Sequence, residues 1–153
     1  NKNQTFYETR TSIQYLKHDL ISIRIMSDYN CDGLHPYSGQ DNSILFDLKN
    51  HRKLVLTDLF FKRAKTFKFL KSHLSRAITE ESCQDKTEFY IEAERLFEDN
   101  LNFYLTKTGI TFNLKLPYGI RFCSKPFSLS YKEIMANMAY TNVLKRMEKD
   151  LKN

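Results

Sequence analysis

Cys31 and His35 stand four residues apart in a run rich in turn formers, Cys31-Asp32-Gly33-Leu34-His35-Pro36-Tyr37-Ser38-Gly39. A thiol beside an imidazole can be held as a thiolate, the form that acts as a nucleophile. A hydrolase or thiol enzyme working through this pair is therefore one reading. The other takes Cys31 as half of a disulfide and His35 as a residue that orients its loop. The surroundings favour the second, because the sequence holds no Gly-x-Ser-x-Gly, no Cys-plus-His-plus-Asn pattern and no oxyanion-type turn. His18, His51 and His73 show no paired spacing, and Cys31, Cys83 and Cys123 include no Cys-x-x-Cys, so no metal site is expected. Glu80-Glu81 and Glu88, Glu92 and Glu94 fall in helical or hinge regions where solvated charge accounts for them. Four glycines hardly permit a phosphate-cradling loop. The expectation is a protein with no catalytic residues, no metal and no cofactor.

Binding is the better reading of the same residues. Leu34, His35, Pro36 and Tyr37 come together at a hairpin tip, and a second aromatic loop runs Pro117-Tyr118-Gly119-Ile120-Arg121-Phe122. Tyr and Arg on loops held by a sheet are frequent interface anchors, which singles out Tyr37, Tyr118 and Arg121. The plainer alternative is that both loops fold back and fill grooves of the protein's own surface.

The elements that position these loops follow from periodicity. Thr5 to Tyr15 reads as a strand with Thr9, Thr11, Ile13 and Tyr15 on one face, and Lys17-His18-Asp19 as a turn. Ile21 to Tyr29 alternates as a half-buried strand, with Ile21, Ile23 and Ile25 on one side and Ser22, Arg24 and Asp28 on the other. Ser43 to Leu48 is the next strand, followed by a turn at residues 49–52, a short extended Leu54-Val55-Leu56, and a helical turn that Thr57 can cap. Phe67, Leu70, Leu74, Ala77 and Ile78 make one helical stripe. A second helix is expected over Thr87 to Asp99, with Phe89, Ala93, Leu96 and Phe97 inward. Asn102 to Leu105 and Ile110 to Leu116 form a hairpin around Lys107-Thr108-Gly109, and Phe127 to Leu129 a short strand. The last element is a long helix, residues 131–151, with Ile134, Met138, Val143 or Leu144, and Met147 inward. Segregated runs of strands and helices point to one α+β domain, residues 1–153, with an antiparallel sheet of hairpins and helices packed on one face.

Composition bounds the rest. The chain has 153 residues, 41% of them hydrophobic, with 24 Lys plus Arg against 18 Asp plus Glu, a net charge of +6. That is enough to bury a core without several staples, and it excludes a disordered or collagen-like chain. No stretch approaches the ~18 consecutive apolar residues of a membrane helix, so no membrane insertion is expected. The densest basic run, Lys62 to Lys71, has its apolar residues at helical spacing and reads as a solvated helix face. No nucleic-acid reader motif accompanies the charge, so no nucleic acid is expected, whereas an anionic cell wall or an acidic protein patch is compatible with it. The chain opens on Asn1 rather than Met, which reads as a processed or excised piece.

The order of motifs resembles a known family. Asp19-Leu20-Ile21-Ser22-Ile23 leads into Cys31-Asp32-Gly33-Leu34-His35-Pro36, then Leu45-Phe46-Asp47-Leu48-Lys49 and Leu54-Val55-Leu56-Thr57-Asp58-Leu59-Phe60. Later, Asn102-Phe103-Tyr104-Leu105-Thr106-Lys107-Thr108-Gly109-Ile110-Thr111-Phe112 precedes Leu129-Ser130-Tyr131-Lys132-Glu133-Ile134. Over residues 5–134 this is similar to the C-terminal domain of RsiV-type anti-sigma factors, domain of unknown function 3298, also found attached to some peptidoglycan deacetylases. It departs from the pattern where the family's Gly-Gly-Ala becomes Asp32-Gly33-Leu34, and where Asn50-His51-Arg52 replaces the usual turn glycine.

The resemblance implies a non-catalytic recognition domain on the periplasmic or extracellular side of a bacterial envelope, with a lysozyme-like muramidase or a peptidoglycan fragment as partner. Leu34, His35, Pro36, Tyr37, Tyr118 and Arg121 would then carry binding. It also implies that Cys31, Cys83 and Cys123 sit in an oxidising compartment, with Cys83–Cys123 and Cys31–Cys123 as candidate disulfides. A purely structural module using the C-terminal helix as its contact surface is the remaining reading.

Overall fold

The computed structural model describes residues 6–30, 40–78 and 83–148. Four strands, β1 (Phe6–Lys17), β2 (Leu20–Asn30), β3 (Gln40–Asp47) and β4 (Arg52–Leu54), form an antiparallel meander in the order β1-β2-β3-β4. A second antiparallel sheet holds β5 (Leu101–Leu105), β6 (Gly109–Leu114) and β7 (Phe127–Ser130). Between the sheets in sequence lie α1 (Leu56–Leu59), α2 (Ala64–Ala77), α3 (Gln84–Glu88) and α4 (Ala93–Arg95). After β7 come α5 (Tyr131–Asn137) and α6 (Asn142–Lys145). This is the α+β class with antiparallel hairpins that the pattern of runs predicts.

The alternation of β2 is present, but its polar side faces inward. Leu20 and Ser22 are fully buried, while Ile21, Ile23 and Ile25 are half-buried on the opposite face. The cause lies in the second sheet. β5 is an edge strand, and its outer edge presses on the inner face of β2 and β3, where serines meet its backbone. The Leu105 N–H donates to Ser22 Oγ at 3.0 Å, and Ser43 Oγ donates to the Phe103 carbonyl. Asn102 extends the seam, its Oδ1, 2.7 Å from Ser43 Oγ, sharing the single hydroxyl hydrogen with the Phe103 carbonyl, and its amide donating to the Asp41 carbonyl at 2.9 Å. Beside it Arg24 makes a two-pronged pair with Asp41, at 3.0 and 2.9 Å, and lies over the Tyr104 ring. A buried backbone donor must find a partner, and here side-chain hydroxyls stand in for a neighbouring strand.

β1 departs from simple alternation for a local reason. The register with β2 slips between Ile13 and Tyr15, a bulge that turns Tyr15 onto the buried face while Ile13 stays on the outer one, 59% exposed. The turn that follows has His18 at φ 57° and Asp19 at φ 59°. Two successive left-handed residues give the turn whose twist matches a hairpin, although neither is the Asn-Gly that adopts it most readily.

Three helical expectations are corrected. Thr57 does not cap α1; Asp58 does, its carboxylate accepting the Val55 N–H at 2.8 Å and pairing with Arg52. The helix expected over Thr87 to Asp99 is a series of short turns, α3, a 3₁₀ turn (Phe89–Ile91), α4 and a π turn (Leu96–Asn100). Ile91 takes the buried place, and Phe89 is half exposed with the Arg95 guanidinium 3.6 Å above its ring. The long C-terminal helix is broken as well. Between α5 and α6 the chain extends to pair with the end of α1, with Phe61 N–H donating to Ala139 O and Thr141 N–H to Leu59 O, both at 2.9 Å. Those two bonds satisfy backbone groups that a continuous helix would have paired internally. The inward residues Ile134, Met138, Leu144 and Met147 are buried all the same.

Asp47 fastens the C-terminal segment to the first sheet. Its fully buried carboxylate accepts the Lys49 and Asn50 N–H groups at 3.0 and 3.2 Å, and it also receives the Arg146 guanidinium. The hydrogen bonds from Arg146 hold its pKa well below the usual carboxylate range, against the opposing effect of burial, with the Asn50 bonds adding to the lowering.

Two outcomes follow from these contacts. Ser22→Ala strands the Leu105 N–H and lowers stability by about 1–3 kcal/mol, seen in urea unfolding as a lower midpoint at unchanged slope. Asp47→Asn costs near the lower end of the ~3–5 kcal/mol for a broken buried pair, since Arg146 is partly exposed. Because the native pKa of Asp47 is depressed, its contribution is complete above the unfolded value of about 3.9 and is lost as pH falls through the native one. The gap in unfolding free energy between the parent protein and Asp47→Asn should therefore be widest near neutrality and close in strong acid.

Candidate functional site

The two loops singled out by sequence leave from one end of the molecule. Asn102, at the start of β5, hydrogen-bonds Asp41 at the start of β3 and pairs in register with Asn113 near the end of β6. The β2–β3 connection and the β6–β7 crossover therefore depart from neighbouring strand ends. The opposite end carries the turns at 18–19, 48–51 and 106–108.

Leu34, His35, Pro36 and Tyr37 fall outside the described residues, as does Cys31, and with them the Cys31–His35 pairing. Tyr118 opens a 3₁₀ helix (Tyr118–Cys123), and only its backbone is described. Arg121 lies half-buried in that helix, and Phe122 is 60% exposed. The helix forms because Pro117 is set in the extended region at φ −54° and ψ 155°, which ends β6 and starts a new turn, with Ile120 N–H donating to the Pro117 carbonyl at 3.0 Å.

What fixes this helix is covalent. Cys123 is bonded to Cys83, with Cα atoms 5.6 Å apart and a sequence separation of 40. Of the two candidate pairings, Cys31–Cys123 is thus excluded. Both sulfurs are buried. Directly after the disulfide, Ser124 pairs with Ile78 and Lys125 N–H donates to the Ala77 carbonyl at 3.0 Å, fastening the crossover to the end of α2.

At the other end, a groove of about 560 Å³ lies between the end of β1 and α5, with Tyr15, Lys17, His18, Lys107, Tyr131 and Met147 on its walls. Tyr131 is fixed by donating to the Thr106 carbonyl at 2.8 Å, and burial pushes its phenol pKa up, with the nearby Tyr15 adding to the shift. The phenol therefore keeps its proton near neutrality. Gly109 lies opposite Ser130, where a Cβ would stand 2.0 Å from the Leu129 carbonyl oxygen, so only glycine lets β7 approach β6 here. Among the described residues, no three His, Cys, Asp or Glu side chains gather as a metal site would require, and no helix is long and apolar enough to cross a membrane.

No family model and no curated protein matches the sequence. Solved structures do match. A member of the DUF3298 family from Bacteroides fragilis NCTC 9343 aligns over 95% of this chain with a TM-score of 0.59 at 20% identity. A DUF3298 family protein from Pseudomonas aeruginosa PAO1 aligns over 91% with a TM-score of 0.56 at 16% identity. The fold is that of the DUF3298 proteins. This chain spans 58% and 64% of the lengths of those two chains. The DUF3298 fold agrees with the family resemblance read from the order of motifs, and the structure gives those motifs physical roles. Asp47 closes the β3–β4 turn and Asp58 caps α1. Ser130 and Glu133 form a reciprocal cap on α5, at 3.2 and 2.9 Å.

In the chain-entropy account, a bridge closing 40 residues restricts the unfolded chain by about 4 kcal/mol. Reduction with dithiothreitol should therefore lower the urea midpoint markedly. Proteolysis under reducing conditions should begin in residues 115–126, where the clamp on the crossover is lost.

Proposed function

We propose that the chain is an extracytoplasmic, non-catalytic recognition domain whose partner is a muramidase-like protein or a cell-wall glycan. The observation that carries this reading is the DUF3298 fold itself, found where the order of motifs points to the same family. The disulfide supports an oxidising compartment. Binding would rest on Leu34, His35, Pro36 and Tyr37 at the β2–β3 connection, with Tyr118 and Arg121 on the crossover that leaves from the same end. Aromatic rings would stack on sugar or on a protein surface, while His35 and Arg121 donate hydrogen bonds.

Charge weighs between the two partners. A domain of net charge +6 meets a basic muramidase with unfavourable long-range electrostatics, which slows association. A glycan carrying carboxylates has no such penalty.

Calorimetric titration with lysozyme and, in parallel, with soluble peptidoglycan fragments tests the reading. Binding of one of them at micromolar Kd or tighter, about −8 kcal/mol, is expected. His35→Ala combined with Tyr37→Ala should weaken it about tenfold or more. Silence with both ligands overturns the proposal, and unchanged affinity in the double variant overturns its site.

A further inference from the structure

The crossover that carries the disulfide also builds a second concave surface. His73 and Arg76 from the last turns of α2 face Lys125 across a groove of about 500 Å³, completed by Ile78, Pro126 and Phe127. Its aromatic wall is rigid. Phe127 stacks on the buried Phe112 with centroids 5.4 Å apart, and the His73 ring lies near-parallel to Phe127 at 6.0 Å. His73 Nδ1 sits 3.0 Å from the Phe69 carbonyl, which can only accept, so Nδ1 carries the ring hydrogen and Nε2 is the second polar position.

The charged side chains that line the groove among the described residues are basic. α2 contributes Lys65, Lys68, Lys71, His73 and Arg76 and contains no Asp or Glu. Among the described residues no carboxylate lines the groove, and none of their ion pairs uses Arg76 or Lys125. Glu133, whose charge reaches His73, is bound into the cap of α5 by the N–H and hydroxyl of Ser130. The crossover itself is fixed, by the disulfide and by the Ser124–Ile78 and Lys125–Ala77 backbone links.

We propose that this groove binds an acidic carbohydrate. A sugar packs against Pro126 and the part-exposed Phe127, and a carboxylate on that sugar meets the planar Arg76 fork and Lys125. The charge complementarity selects an anion, Pro126 and Phe127 offer its ring an apolar surface, and a concave site of this size suits a short glycan segment. The disulfide's oxidising compartment argues against nucleic acid as the occupant. This inference rests on the recognition reading above and narrows the glycan to one bearing carboxylates.

The test is titration of the whole chain with an oligogalacturonate, with a neutral glucan oligomer and oligodeoxythymidine in parallel. Oligogalacturonate should bind, more weakly as salt rises. The exposed pair Arg76→Gln and Lys125→Gln should reduce its affinity about tenfold or more. A charge-matched pair away from the groove, Lys49→Gln and Lys53→Gln, should change it less than about twofold. Equal losses in the two pairs, equal binding of the neutral glucan, or tighter binding of oligodeoxythymidine overturns the proposal.

Binding to peptidoglycan fragments is measured on the same proteins. Loss of it in the His35→Ala and Tyr37→Ala variant, with the Arg76 and Lys125 pair unaffected, overturns the groove and leaves the recognition reading intact. Silence of the parent protein with the fragments and lysozyme, alongside oligogalacturonate binding that depends on Arg76 and Lys125, overturns the recognition reading and leaves the groove.

Discussion

The edge of β5 is completed by the face of another sheet. Strand edges normally end in water or against a neighbouring strand, but this one meets Ser22 and Ser43, whose hydroxyls serve the Leu105 N–H and the Phe103 carbonyl. The contact sets the angle at which the two sheets meet and fixes which side of β2 is buried. It also draws Asn102 against Asp41, so that the β2–β3 connection and the β6–β7 crossover leave from one end. At the far end the Asp47–Arg146 pair holds α6 to the first sheet, and the buried leucines between these polar anchors make the core.

Polar seams of this kind explain where the sequence can be read and where it cannot. Alternation and helical spacing are local properties, and they identify β2, β3, α2 and the β5–β6 hairpin correctly. Which face of β2 turns inward depends on β5, a strand some 80 residues away, as the separation of 83 between Ser22 and Leu105 makes concrete. Three isoleucines on one side argue for burial on hydrophobicity alone, yet the serine side wins because the β5 edge needs hydrogen bonds. The bulge at Gln14 is equally silent in a count of alternating residues. Breaks in the expected helices have a related cause. Residues 139–141 find backbone partners on Leu59 and Phe61 and leave the helix to take them.

The motifs that carry the family resemblance were legible as strings, and most are ends of elements. Asp47, Asp58 and Glu133 each saturate a turn or a helix start, where few residue types will serve. Such strings report the fold more than a ligand. The two loops proposed to carry binding, by contrast, are visible through their Gly, Pro and aromatic content. The basic groove was hidden, because Lys125 and Arg76 are 49 residues apart and meet only when the crossover docks on α2. Read locally, the lysines of α2 are a solvated helix face; the aromatic wall that gives them a concave neighbour comes from β7.

The seam between the sheets also bears on how the chain reaches this state. The β1–β4 meander is built from adjacent strands and is complete by Leu54, while the strand whose edge it serves begins at Leu101. A chain delivered from its N-terminus can therefore form its hairpins early, with Leu20, Leu45 and Leu54 uncovered and the Ser22 and Ser43 hydroxyls bound to water. Closure must then bring together groups 60, 83 and 99 residues apart, at Ser43–Phe103, Ser22–Leu105 and Asp47–Arg146. Loop closure over such distances is paid before its contacts form, so docking of the halves rather than hairpin formation sets the folding time. Until docking, the meander is the part of the molecule most exposed to mispairing.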